Sequence, residues 1–132
     1  MRTAQPLLLA ALALLTILAL PCLAQDTDAV PYVGEYELRA EGIAGEMSIR
    51  FEDDQMYHVA IFTTTDDGLH FCDFTGRFVQ EEMVLVQTSQ EEGSLPLVIF
   101  DRGDHMEIEE ESPGACGLNQ TMVGSYFPAE AN

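Results

Sequence analysis

Residues 46–63 read EMSIRFEDDQMYHVAIFT and hold two alternating segments around a polar break. Apolar side chains recur at every second position on both sides of the break: Met47, Ile49 and Phe51 before it, and Tyr57, Val59 and Ile61 after it. An interval of two is that of a β-strand with one buried face. Residues 53–55, Asp-Asp-Gln, are typical of a turn. The stretch therefore predicts a β-hairpin.

The same strand-like character extends in both directions from this hairpin. One strand is expected to begin near residue 33, and further runs span 69–79, 83–88, 95–101, 105–110 and 121–127. Beyond the first 24 residues, no segment keeps a helical stripe for three turns. About eight strands at this spacing predict an all-β antiparallel meander, either a small closed or partly closed barrel or, as the alternative, a two-sheet sandwich.

A repeated motif favours the barrel over the sandwich. Val33-Gly34-Glu35-Tyr36 opens the first strand, and Val123-Gly124-Ser125-Tyr126 lies in the last. In an up-and-down barrel the first and last strands pair to close the sheet. Gly34 and Gly124 would let these backbones approach closely, and the rings of Tyr36 and Tyr126 would cap the interior.

The N-terminal segment has the features of a secretory signal. Arg2 precedes an apolar run over residues 7–20, Pro21 ends the run, and Cys22-Leu23-Ala24 fits a cleavage site. The run is shorter than the roughly 18 residues of a membrane span. We expect a signal peptide over 1–24, a flexible lead over 25–31 and a single β domain over 32–128. The alternative is a lipoprotein anchored at Cys22.

Cysteine parity agrees with export. Cys22 leaves with the signal, and Cys72 and Cys116 remain. In an oxidising compartment two remaining cysteines predict one disulfide. The predicted location is therefore secreted or periplasmic.

The charge of the chain restricts its partners. The formal net charge is −18, and without Arg2 the remaining four arginines against 23 acidic residues give −19. No lysine is present. This balance argues against binding to nucleic acid or to an anionic membrane surface and is compatible with a cationic partner, such as a basic protein or a metal ion. The alternative is that the charge only keeps an exported barrel soluble. The densest acidic run predicts a binding face at Glu107, Glu109, Glu110 and Glu111.

The sequence contains no motif for catalysis and none for a cofactor. Gly-x-Ser-x-Gly is absent, and the acidic clusters do not match a calcium-binding loop. His70 and Cys72 are spaced to share a strand face and would be two zinc ligands, but a disulfide at Cys72 excludes that use. We therefore expect a protein that is not an enzyme and has neither a metal nor another cofactor.

The layout of the chain resembles a known group of proteins. A Gly-x-Tyr element in the first strand, here Gly34-Glu35-Tyr36, followed by an antiparallel meander resembles the calycin-type small barrels. The compact size, leader and single disulfide are similar to those of periplasmic lysozyme inhibitors. The Ser-Gly-x-x-Tyr and Lys-Gly elements of the C-type inhibitors are not present, so the resemblance assigns no inhibitory residue.

Two functions follow as expectations. The first is an exported binding module that inhibits or binds a cationic protein through an acidic surface. The alternative is a small-ligand barrel with an apolar lumen, although eight strands leave room for one ligand at most. The lumen would be lined by aromatic and aliphatic side chains, namely Phe62, Phe71, Phe74, Leu85, Leu97, Ile99 and Phe100.

Overall fold

Eight antiparallel strands form a closed barrel in the computed structural model, which describes residues 31–88 and 92–130. The strands are β1 (Gly34–Leu38), β2 (Ile43–Phe51), β3 (Met56–Thr65), β4 (Phe71–Glu81), β5 (Val84–Gln87), β6 (Val98–Asp101), β7 (Met106–Ile108) and β8 (Gly124–Pro128). Each strand pairs with the next, and β8 returns to pair with β1. The predicted all-β meander is confirmed, and of the two predicted architectures the structure has the barrel.

Two sequence predictions concern residues outside this description. The predicted signal peptide over 1–24 and all but the last residue of the predicted lead lie outside the described residues. Within the described part of the chain, no helix has the length and apolar character needed to cross a membrane.

The barrel interior is packed with side chains. Alternation along each strand turns every second residue inward, as in β3, where Tyr57, Val59, Ile61 and Thr63 are all at most 2% exposed. Large side chains from the other strands meet them, among them Met47, Phe78, Leu85, Ile99, Ile108 and Tyr126. Side chains of this size fill an eight-stranded barrel, which leaves no wide channel between the strands.

Three of the residues predicted to line a lumen lie on the outside instead. Phe62 is 45% exposed and Phe71 is 64% exposed. Each is next to an inward-facing residue, Ile61 and Cys72 respectively, so the pleat of the strand turns it outward. Phe100 faces outward for the same reason, beside the buried Ile99. The lumen prediction was wrong for these three. Leu85, Leu97 and Ile99 are buried, and Phe74 packs against the core.

The barrel closes around Leu38, the last residue of β1. Leu38 pairs with Tyr126 of β8. A Cβ atom added to Gly124 would lie 2.5 Å from Cδ1 of Leu38, and one added to Gly45 would lie 3.0 Å from Cβ of Leu38. The two glycines, on β8 and β2, therefore make room for this side chain. Gly34 lies elsewhere, with the ring of Tyr36 as its nearest neighbour.

The two tyrosines of the repeated motif differ in environment. Tyr126 is fully buried, and its hydroxyl donates a 2.8 Å hydrogen bond to the carbonyl oxygen of Met122. Burial raises the pKa of Tyr126 far above its usual value. Tyr36 is half-buried, and its hydroxyl donates to the carbonyl oxygen of Tyr32 at 2.7 Å. Each bond links the tyrosine of a strand to the carbonyl oxygen of the residue four positions earlier in the chain.

This difference predicts unequal effects of removing the two hydroxyls. Tyr126→Phe is expected to lower the free energy of unfolding by about 1–2 kcal/mol, because the buried carbonyl of Met122 loses its partner away from water. Tyr36→Phe should cost about half as much or less, since water can reach the carbonyl of Tyr32. Urea unfolding of the two variants measures the difference. Equal losses would contradict the assigned burial.

The disulfide joins the barrel wall to its longest described connection. Cys72 of β4 is bonded to Cys116, which lies between β7 and β8, with a Cα–Cα distance of 4.8 Å. The predicted pairing is confirmed. A disulfide of this kind indicates an oxidising, extracytoplasmic environment.

Candidate functional site

The acidic run predicted as a binding face is largely engaged within the protein. Glu107 and Glu109 both form salt bridges with Arg102, the former at 2.5 Å. Oε2 of Glu111 accepts a 2.7 Å hydrogen bond from the backbone N–H of Met122. Among the described residues, Glu110 is the one of the four that has no such contact, and its side chain is exposed. The run is therefore a poorer candidate for a cation-binding face than its charge density suggests.

A second acidic surface lies on the outer side of β1 to β4. Strand register places Glu37 opposite Glu46, Glu46 opposite Phe62, and Phe62 opposite Asp73. These residues form one row across four strands. Glu35 lies in the adjacent row, where it accepts a 2.8 Å hydrogen bond from the hydroxyl of Ser48.

Phe62 and Phe71 form an exposed aromatic pair beside this row. Their ring centroids are 6.3 Å apart, and the ring planes differ by 25°. A shallow depression of about 140 Å³ lies next to Phe62 and is bordered by the carboxylates of Glu35, Glu46 and Asp73. We call this surface the acidic-aromatic face and define it by Glu35, Glu37, Glu46, Phe62, Phe71 and Asp73.

Three carboxylates of this face have no ion-pair partner among the described residues. In the described part of the chain, Glu37, Glu46 and Asp73 have no salt bridge; the arginine side chains that do form them, Arg77 and Arg102, pair elsewhere. Glu37 and Glu46 lie directly opposite each other on neighbouring strands, an arrangement of like charges that destabilises a sheet. The fold therefore tolerates an unfavourable arrangement at this face.

A basic row borders the acidic-aromatic face toward the β2–β3 turn. Arg50 lies opposite His58, and His58 lies opposite Arg77. Arg77 also forms a 2.8 Å salt bridge with Glu52. The outer wall of β2 to β4 thus changes from basic to acidic along the strands, which would orient a partner of complementary charge pattern.

A cavity lies at the end of the barrel that the β7–β8 connection covers. This end cavity has a volume of about 360 Å³. Phe74, Leu97 and Met122 form its apolar floor, while Glu111 and Ser112 lie on its wall. It lies on a different part of the molecule from the acidic-aromatic face, with no residue in common.

The structure places the remaining candidate residues from the sequence analysis in paired strands and in the disulfide. Tyr36 and Tyr126 lie in the paired strands β1 and β8, together with Gly124, as described above. Cys72 cannot be a zinc ligand with His70, because its sulfur is bonded to Cys116. Among the described residues, no group of three or more His, Cys, Asp or Glu side chains is arranged to hold a metal ion.

Comparison of the chain with protein-family models, with curated proteins and with solved structures finds no match. The similarity to calycin-type barrels and lysozyme inhibitors therefore stays a prediction drawn from layout.

Sequence reasoning did not select the residues of the acidic-aromatic face as a group. Glu35, Glu37, Glu46 and Asp73 are spread over three strands. The alternation of polar and apolar residues predicts that each of these side chains points outward. Only the register between the strands brings them next to each other. The same alternation would have turned Phe62 outward, since its neighbours Ile61 and Thr63 share the buried parity.

Proposed function

We propose that this protein is an exported, non-enzymatic binding module that engages a cationic protein through the acidic-aromatic face. The observation that carries the proposal is the exposed Phe62–Phe71 pair bordered by carboxylates that have no salt bridge among the described residues. Export follows from the predicted signal over 1–24 and is supported by the disulfide; a secreted or periplasmic location is proposed, with a lipid anchor at Cys22 as the alternative.

The chemistry of the face fits a protein partner with basic residues. Aromatic side chains are enriched among residues that dominate binding energy at interfaces, because they bury a large rigid surface. The surrounding carboxylates would raise the association rate with a cationic partner and orient it. A net charge of −18 adds long-range attraction, which salt weakens.

A basic lysozyme is a suitable first probe, because it is compact and cationic and because the layout of the chain resembles lysozyme inhibitors. Binding to the full chain, expressed with its own leader and purified from the extracytoplasmic fraction, is measured by calorimetry at about 20 mM and 200 mM salt. We expect binding at low salt that weakens at high salt as the Debye length falls. A second basic protein of similar size separates recognition of one surface from attraction to any positive charge.

Phe62→Ala is expected to weaken binding at least tenfold, equivalent to about 1.4 kcal/mol or more, because it removes the central aromatic contact. Leu118→Ala is the matched control, since Leu118 is 86% exposed and lies in the β7–β8 connection. Leu118→Ala should change stability by no more than about 0.5 kcal/mol because its side chain is exposed. Phe62→Ala should cost up to about 1.5 kcal/mol because it loses the ring contact with Phe71. Equal affinities of the two variants would contradict the proposed face.

The charge contribution is tested separately. Glu46→Gln/Asp73→Asn removes two charges from the face, and Asp53→Asn/Asp54→Asn removes two charges from the β2–β3 turn. The first variant should slow association by roughly three- to tenfold at low salt, whereas the second should change it less than twofold. If both variants slow association equally, overall charge and not this face attracts the partner.

A further inference from the structure

The disulfide and several hydrogen bonds fix the chain segments around the end cavity. The disulfide fixes Cys116 to β4. The buried hydroxyl of Thr63 donates a 2.9 Å hydrogen bond to the carbonyl oxygen of Thr121. In the same β7–β8 connection, the hydroxyl of Ser112 accepts from the N–H of Leu95 at 2.9 Å and donates to its carbonyl oxygen at 3.1 Å. A wall constrained in this way loses little conformational entropy when a ligand enters.

The lining of the end cavity combines an apolar floor with one charged group. Leu97 and Met122 are at most 4% exposed, and Phe74 packs against the core beside them. Glu111 is the one ionisable side chain among the described residues that line the cavity. The lining also includes the polar side chains of Gln87, Ser94 and Ser112. In small-molecule pockets, polar groups placed beside apolar side chains fix the orientation of a ligand.

One oxygen of the Glu111 carboxylate is held by the backbone, and the other can bind a ligand. Its Oε2 accepts the hydrogen bond from Met122 N–H at 2.7 Å, which holds the carboxylate in place. Its Oε1 has no hydrogen-bond partner among the described residues. A carboxylate fixed beside an apolar floor favours a cationic hydrogen-bond donor and disfavours an anion, and the negative charge of the whole chain acts in the same direction.

We propose that the end cavity binds a small primary amine with an apolar body, whose ammonium group pairs with Glu111 while its body contacts the accessible apolar side chains of Phe74 and Leu95. A volume of about 360 Å³ lies within the range of small-molecule pockets. This site is independent of the acidic-aromatic face, so either proposal can fail without the other.

Three probes of one shape and different charge test the proposal. Benzylamine, benzyl alcohol and benzoate are titrated into the isotope-labelled full chain, and affinities are taken from amide chemical shifts. We expect benzylamine to bind at least tenfold more tightly than benzyl alcohol, and benzoate not to bind. The shifted amides should be those of residues around the floor and the 111–115 wall. Equal binding of the amine and the alcohol, or amine shifts centred on the acidic-aromatic face, would overturn the proposal.

Glu111→Gln removes the charge and keeps an oxygen that can accept from the N–H of Met122. It should weaken benzylamine binding about tenfold and leave benzyl alcohol unchanged, whereas the neighbouring exposed Glu110→Gln should change neither. Ala115→Phe, which places a ring on the cavity rim, should abolish binding of both probes and provides a test that does not depend on the folding of Glu111→Gln. Unchanged benzylamine affinity in Glu111→Gln or in Ala115→Phe would contradict the assigned site.

Discussion

Replacing both disulfide cysteines with alanine is expected to lower the free energy of unfolding by about 4 kcal/mol in the chain-entropy model. The two residues are 44 positions apart, so the unfolded chain without the cross-link gains the freedom of a long loop. Alanine is chosen because Cys72 is 3% exposed and a serine hydroxyl there would add the separate cost of a buried polar group. Urea unfolding of Cys72→Ala/Cys116→Ala and of the oxidised protein measures the difference.

Chemical reduction provides the control for this prediction. A reducing agent should destabilise the oxidised protein by a similar amount and leave the double-alanine variant unchanged. A loss below about 1 kcal/mol in the variant would mean that the cross-link does not constrain the unfolded chain as proposed. The variant should also show weakened amine binding at the end cavity, since the wall that carries Cys116 loses its tether to β4.

Closure of the barrel around Leu38 predicts the second large effect. Leu38→Ala should cost about 2–5 kcal/mol because it leaves a cavity in the core. Gly45→Ala should cost about 1–3 kcal/mol, because its new methyl would lie 3.0 Å from both Cβ and Cδ2 of Leu38 and 2.9 Å from Cγ2 of Thr63. In the double variant the clash with Cδ2 of Leu38 is relieved, because alanine lacks that atom, while the contacts with Cβ of residue 38 and with Thr63 remain. The combined loss should therefore fall short of the sum by about 1 kcal/mol.

A second double-mutant cycle shows whether this coupling is local. Gly76 lies in β4, which pairs with neither β1 nor β8, and a Cβ there meets Phe74 and Phe78 instead of Leu38. Leu38→Ala and Gly76→Ala should therefore be additive within about 0.5 kcal/mol. Additivity in the Gly45 cycle as well would argue that Leu38 is not packed between β2 and β8 as described.

Much of the fold was readable from local sequence. Alternation over 46–63 predicted β2, β3 and the turn between them, because a half-buried strand must repeat every second residue. Two cysteines after the predicted leader specified one disulfide. The repeated Val-Gly-x-Tyr predicted that the ends of the sheet pair, and β1 does pair with β8. The role of Gly124 was not readable, because it depends on the side chain of Leu38 across the closing seam.

The site was less predictable, for two physical reasons. Hydrophobic identity was given more weight than strand parity, so Phe62 and Phe71 were placed inside although the pleat turns them outward. The high density of acidic residues over 107–111 was also taken as a sign that their side chains are exposed and unpaired. Arg102 follows β6, and the hairpin brings its guanidinium to Glu107 and Glu109, which neutralises part of the run. Cross-strand neighbours of this kind follow from register and not from the local pattern.

The most direct test of the proposed function is to map where a cationic protein contacts the barrel. Amide chemical shifts of the labelled full chain are followed during titration with unlabelled basic lysozyme at low salt. The largest changes are expected along β2 to β4 around Glu46, Phe62 and Asp73, and they should disappear in Phe62→Ala. An absence of shifts at low salt, or changes centred on residues 107–111, would contradict the assignment of the acidic-aromatic face as the binding surface.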